Sequence, residues 1–210
     1  MEKEITYHST NTYSTLFSLT LKTNKIWLVF HGIGYLSRYF IRFFQELDPT
    51  TNYVIAPQAP SKYYKDFSYK KIGSSWLTKE NTTIEIENNL QYIHAIFTKE
   101  EIPLEKELVV IGYSQGVSMA SRWIANYKIN PSYFFIISGA FPKELNQKHF
   151  LHLTNTSKLI HIVGENDPYF EKKNIELEKL RVGQILPNIR FKTHPGGHEL
   201  NLNSIVEEIK

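Results

Sequence analysis

Residues 112–116 read Gly112-Tyr113-Ser114-Gln115-Gly116. They follow Leu108-Val109-Val110-Ile111, an apolar run with the composition of a buried strand. They precede Val117, Met119, Ala120, Trp123 and Ile124, spaced as on a helix. A serine between glycines at a strand–turn–helix junction is the pattern of a nucleophile elbow. The sharp turn projects the hydroxyl clear of the backbone. Gly112 and Gly116 lack side chains that would strike the neighbouring strand and helix. The helix that follows begins with free N–H groups at its positive end, which favour a negative charge. The chemistry implied is attack by a serine hydroxyl on a carbonyl carbon, with the resulting oxyanion held by backbone amides.

Such a hydroxyl needs a base, and the base needs an orienter. In sites of this kind the acid and then the histidine follow the serine in the chain. The chain has three aspartates, Asp48, Asp66 and Asp167, and only Asp167 follows Ser114. It lies in Gly164-Glu165-Asn166-Asp167-Pro168, just past the strand expected over 158–163 and so at the same sheet edge as the elbow. A turn aspartate before proline is a common helix-initiating residue, and both roles can coincide. Glu165 is the reserve orienter. Two histidines follow. His194 ends the strand expected over 189–193, whereas His198 follows Pro195-Gly196-Gly197, a loop free enough to carry an imidazole across to the serine. His198 is therefore the favoured base and His194 its rival. His161, inside a strand, reads as a packing or surface residue.

A second oxyanion donor is expected from the loop after the strand over 25–30, which reads His31-Gly32-Ile33-Gly34. The donors assigned are the backbone N–H groups of Ile33 and Gln115. His31 reads as an anchor of that loop rather than a proton carrier. Tyr35, Trp76 and Tyr113 are candidates for pocket walls and serve equally well as core aromatics.

The elements that must position these residues alternate along the chain. Strands are expected over 25–30, 52–56, 107–112, 132–138, 158–163 and 189–193, and helices over 37–47, 82–99, 115–127, 169–181 and 199–209. Ser37 is a plausible N-cap for the first helix. Residues 4–9 and 13–20 read as a strand pair around Asn11, and 60–80 as a long loop rich in tyrosine. Repeated strand–helix alternation predicts an α/β architecture, a mostly parallel twisted sheet with helices on both faces. With 210 residues and no linker or repeat, a single domain over 1–210 is expected.

Composition narrows the function further. The formal net charge is +3, with no run of five or six basic residues, which does not argue for nucleic acid. There is no cysteine, so no disulfide, zinc-thiolate site or cysteine nucleophile is possible. The histidines show no metal-binding spacing, and no metal is expected. The start, Met1-Glu2-Lys3-Glu4, is charged, and the apolar runs are too short to span a bilayer. A cytoplasmic location is the expectation.

Taken together, the segments resemble the carboxylesterase/phospholipase family of α/β-hydrolases that includes the acyl-protein thioesterases. The resemblance runs from about residue 25 to the end. His31-Gly32-Ile33-Gly34 is similar to the family's oxyanion loop, Ala56-Pro57-Gln58-Ala59-Pro60 to its proline-rich segment, and Ser75-Trp76 to its tryptophan stretch. Gly112 to Gly116, continuing to Met119-Ala120, resembles its elbow and helix. Gly164 to Asp167 resembles its acid loop and Gly197-His198-Glu199 its histidine loop. Departures fall at Tyr35, where an acidic residue is usual, at Leu77-Thr78, where an aromatic–aspartate pair is common, and at Val117, in place of a glycine. The resemblance implies a small hydrolase of acyl esters or thioesters, with a small-molecule substrate and no cofactor. A peptidase or amidase on the same fold, and a non-catalytic binding protein, are the alternatives.

Overall fold

The computed structural model describes residues 1–103, 105–169 and 172–209. Its core is a seven-stranded sheet in the order β1-β3-β2-β6-β7-β8-β9. The strands are β1 (Tyr13–Leu16), β2 (Lys25–Phe30), β3 (Asn52–Pro57), β6 (Glu107–Tyr113), β7 (Tyr133–Ile137), β8 (Lys158–Gly164) and β9 (Arg190–His194). All neighbours run parallel except β1, which pairs antiparallel with β3 at the edge. A small antiparallel hairpin, β4 (Ser61–Tyr64) and β5 (Ile72–Ser75), stands apart from this sheet.

The central strands are apolar without interruption because both of their faces are covered. Alternate residues enter two separate cores. Leu28, Phe30, Val110 and Phe134 pack with α2 (Thr82–Lys99), α3 (Gln115–Tyr127) and α4 (Lys172–Ile185). Trp27, Val29, Val109, Ile111 and Phe135 pack on the other face with Phe40, Phe44 and Ile205. Those three come from α1 (Ser37–Phe40), the 3₁₀ turn Ile41–Phe44 and α5 (Leu202–Val206). The expected architecture, a mostly parallel sheet with helices on both faces, is what is found.

Several sequence expectations are corrected. No strand forms over 4–9. That segment is exposed throughout, and β1 takes β3 as its partner instead. β1 stops at Leu16 because Phe17 turns the backbone to a φ of 69°. Ser37 is not an N-cap. It is the first helical residue, its N–H donates to Gln58 Oε1 (2.9 Å), and Leu36 precedes it with no side-chain capping bond. The helix expected over 37–47 is one turn of α-helix that tightens to 3₁₀. The loop expected over 60–80 contains the β4–β5 hairpin: β4 is exposed and reads Ser-Lys-Tyr-Tyr, β5 is largely buried but reads Ile-Gly-Ser-Ser, and neither carries an apolar alternation to reveal it. The helix expected over 169–181 lies at Lys172–Ile185, with Phe170 and Glu171 outside the described residues. The last helix covers only Leu202–Val206, capped by Asn201, whose side chain accepts from Ser204 N (3.1 Å).

Because β2, β6, β7, β8 and β9 are parallel, their C-terminal ends meet at one edge. The loops leaving that edge begin at His31, Ser114, Ser138, Glu165 and Pro195. In open parallel sheets this is the edge at which ligands bind.

Candidate active site

Ser114 sits between β6 and α3 with φ 53° and ψ −121°, a backbone shape that L-residues rarely take. The strain persists because the surroundings leave no alternative. A Cβ on Gly112 would stand 2.5 Å from Val117 Cα, and one on Gly116 would stand 2.2 Å from the Phe30 carbonyl oxygen. Both glycines are therefore required by close backbone approach. Ser114 N donates to Ile137 O (2.8 Å), which pins the turn to β7.

The structure brings Ser114, His198 and Asp167 into one hydrogen-bonded line. Ser114 Oγ lies 2.9 Å from His198 Nε2, and His198 Nδ1 lies 2.8 Å from Asp167 Oδ2. The Asp167 side chain is fully buried, and its Oδ1 accepts from Tyr169 N (2.9 Å). The two loops that carry the acid and the base touch through backbone alone: a Cβ on Gly164 would stand 2.1 Å from Gly197 O. Asn166 N donates to Gly196 O (3.0 Å), and Tyr113 Oη donates to His198 O (2.8 Å). Burial pushes the Tyr113 phenol well above its ordinary range, which keeps it a neutral donor.

The rivals lie elsewhere. Glu165 is exposed and accepts from Thr193 Oγ1 (2.9 Å). His194 is buried at the end of β9, with Nδ1 3.9 Å from Glu199 Oε1. His161 is buried in β8 and pushed down to about 4 by burial, as a neutral packing residue would be.

A cleft of about 460 Å³ opens at Ser114, and Ile33, Tyr35, Gln115, Tyr169 and His198 are among its walls. The backbone N–H groups of Ile33 and Gln115 have no hydrogen-bond partner among the described residues, so both are free to bind a ligand atom. His31 lies fully buried beneath this loop. Its Nε2 accepts from Ala59 N (3.2 Å), so the proton sits on Nδ1, which donates to Gly32 O (2.8 Å). Burial lowers its pKa to about 4, so it anchors the loop as a neutral ring.

Tyr35 and Tyr113 line the cleft, but Trp76 does not. It is completely buried, packs 5.1 Å from the His31 ring and donates from Nε1 to His31 O (2.9 Å). Trp76 therefore supports the 31–34 loop from below. Sequence reasoning also missed three features. The Gln115 side chain clamps 75–77, with Oε1 accepting from Trp76 N (2.8 Å) and Nε2 donating to Leu77 O (2.7 Å). Tyr169 presents its ring edge-on to His198 at 4.7 Å. Gly139 packs against the elbow, where a Cβ would meet Ser114 O at 2.3 Å. A glycine just past a strand end at the site edge was the available signal for the last.

Residues 25–204 match the family described as serine hydrolase (FSH1). The chain belongs to that family. Among curated proteins, no sequence relative matches it. Several solved structures share its α/β-hydrolase fold. Zea mays acyl-protein thioesterase 2 superposes with a TM-score of 0.70 at 16% identity, covering 95% of this chain and 96% of that one. A phospholipase/carboxylesterase from Dyadobacter fermentans gives 0.65 at 14%, covering 96% of each chain. The Bacillus cereus carboxylesterase gives 0.63 at 14%, covering 94% and 91%.

Proposed function

We propose that this serine hydrolase cleaves carboxylic esters or thioesters through an acyl-enzyme on Ser114, with His198 as base, Asp167 as its orienter and the amides of Ile33 and Gln115 as the oxyanion hole. The observation that carries the reading is the unbroken line Ser114 Oγ–His198 Nε2 (2.9 Å) and His198 Nδ1–Asp167 Oδ2 (2.8 Å). The names of the structural neighbours, thioesterase and carboxylesterase, support the substrate class.

The steps follow from proton positions. Asp167 as a carboxylate only accepts, so Nδ1 carries a hydrogen and the neutral ring offers Nε2 to the serine proton. Ser114 Oγ attacks the carbonyl carbon as Nε2 takes its proton. The oxygen becomes an oxyanion, held by the two free amides. The tetrahedral carbon re-forms its carbonyl as the bond to the alcohol or thiol breaks, and Nε2–H protonates that leaving group. Water then repeats the sequence on the acyl-serine, releasing the acid and the free enzyme.

The test is labelling by a fluorophosphonate probe together with hydrolysis of p-nitrophenyl esters and acyl thioesters. The wild type is expected to label and turn over. Ser114→Ala is expected to lose labelling and about 10⁴-fold or more in kcat while its circular dichroism is unchanged. An unlabelled, inactive wild type would favour a binding protein on the same fold. Faster cleavage of peptide amides than of esters would favour a peptidase.

A further inference from the structure

The β4–β5 hairpin gathers exposed rings and lysines in one short segment. At its tip Phe67 is 96% exposed, and Tyr64, Tyr69 and Ile72 are exposed beside it. The same segment, 61–72, holds Lys62, Lys65, Lys70 and Lys71 against the single acid Asp66, a surplus equal to the formal charge of the whole chain. None of these lysines is in an ion pair among the described residues. The one acid is already engaged, accepting from Ser68 N (2.9 Å) and from the Ser68 hydroxyl.

This display is ordered rather than loose. Lys65 N donates to Lys71 O (2.8 Å), Tyr69 N donates to Asp66 O (3.3 Å), and the Tyr64 and Tyr69 rings meet edge-on at 5.0 Å. Its base is welded to the oxyanion loop. Gly34 N donates to Ser74 O (2.8 Å), Ser74 Oγ donates to Tyr35 O (2.7 Å), and a Cβ on Gly73 would stand 2.9 Å from Gly34 Cα.

Aromatic rings in an ordered turn, exposed to water, lose hydrophobic free energy unless something apolar covers them. Tyrosine and phenylalanine suit the boundary between headgroups and acyl chains, and lysines flanking them suit anionic headgroups. A soluble polyanion would use the lysines and leave Phe67 in water. We propose that the β4–β5 hairpin docks on an anionic lipid surface, Phe67 and its neighbouring rings entering the interface and Lys62, Lys65, Lys70 and Lys71 pairing with headgroups, so that the cleft stands at the membrane rim. The inference goes beyond the esterase reading and stands without it.

The experiment is co-sedimentation of the full chain with vesicles of phosphatidylcholine alone and of phosphatidylcholine mixed with phosphatidylserine. Strong, salt-sensitive sedimentation is expected only with the mixed vesicles. Lys70→Glu/Lys71→Glu is expected to lower the partition coefficient about tenfold or more, and Phe67→Ser to lower it several-fold. Both variants should keep the wild-type circular dichroism and melting temperature, which verifies their fold whether or not the esterase reading holds. Ser114→Ala should bind vesicles like the wild type, so a failed esterase reading leaves this result intact. Equal sedimentation with the two vesicle types, or wild-type partition by both hairpin variants, would overturn the proposal. An effect of the lysine changes with none of Phe67→Ser would also overturn it, in favour of a soluble polyanion.

Discussion

At the scale of single residues, the direction of one hydrogen decides whether Ser114 has a base. The buried Asp167 carboxylate accepts from Nδ1, and this leaves Nε2 bare toward the serine 2.9 Å away. In Asp167→Asn the amide can donate to Nδ1, moving the ring hydrogen to Nε2. Steady-state kinetics should then show kcat reduced about 10³- to 10⁴-fold. Glu165→Gln should stay within about twofold, because Glu165 is engaged with Thr193 at the surface. A large loss in Glu165→Gln with little in Asp167→Asn would reverse the assignment. These positions were legible in the sequence because the residue types are scarce and ordered: one aspartate after the serine, then a histidine freed by two glycines. Trp76 stays open between pocket wall and core aromatic in the sequence for a physical reason. A tryptophan beside a glycine-rich loop can line a pocket or support it, and only its burial and its bond to His31 O separate the two.

At the scale of elements, the site depends on how closely the loops after β8 and β9 approach. Gly164 permits that contact. A methyl group there must displace Gly197 O, and with it the peptide that carries His198. Gly164→Ala is expected to lower kcat by about tenfold or more, since small displacements of reacting groups are costly. Gly183→Ala in α4 is the control. Nothing lies within 4 Å of its added carbon, so thermal melting should show stabilisation of about 0.5–1 kcal/mol with activity unchanged. Wild-type kcat in Gly164→Ala would show that the loops do not position the triad. β2, β6, β7 and β8 were legible because strands covered on both faces must be continuously apolar. The β4–β5 hairpin escaped because β4 is exposed and the residues that β5 buries, Gly73, Ser74 and Ser75, are small and polar rather than apolar. The pairing of β1 with β3 escaped because an edge strand's partner is a tertiary matter.

At the scale of the whole molecule, stability should respond to pH through two buried rings on the sheet. His31 and His161 are both pushed from 6.5 down to about 4 by burial. The folded values lie below the unfolded one, so the unfolded chain takes up protons first as the pH falls. Their contribution is complete above about pH 6.5 and is lost progressively toward pH 4. Urea unfolding at pH 5 should give a free energy lower than at pH 7.5 by about 2 kcal/mol for each histidine. His161→Phe should remove roughly half of that slope, because neither ring nitrogen of His161 has a partner among the described residues to lose. An unchanged slope would show that His161 is not held neutral. The mostly parallel architecture was legible at this scale from strand–helix alternation. The split of the apolar residues into two cores required the sheet order.

The side chain of Gln115 reaches across to the peptides of Trp76 and Leu77, just past the hairpin's second strand, and Gln115 also lines the cleft. Gly73 rests on Gly34 at the hairpin's base. Hairpin base, 31–34 loop and the turn at Ser114 are thus tied to one another by hydrogen bonds and close backbone packing. If the hairpin docks as proposed, the cleft at Ser114 should inherit its tilt, and a substrate drawn from that surface would have one line of approach.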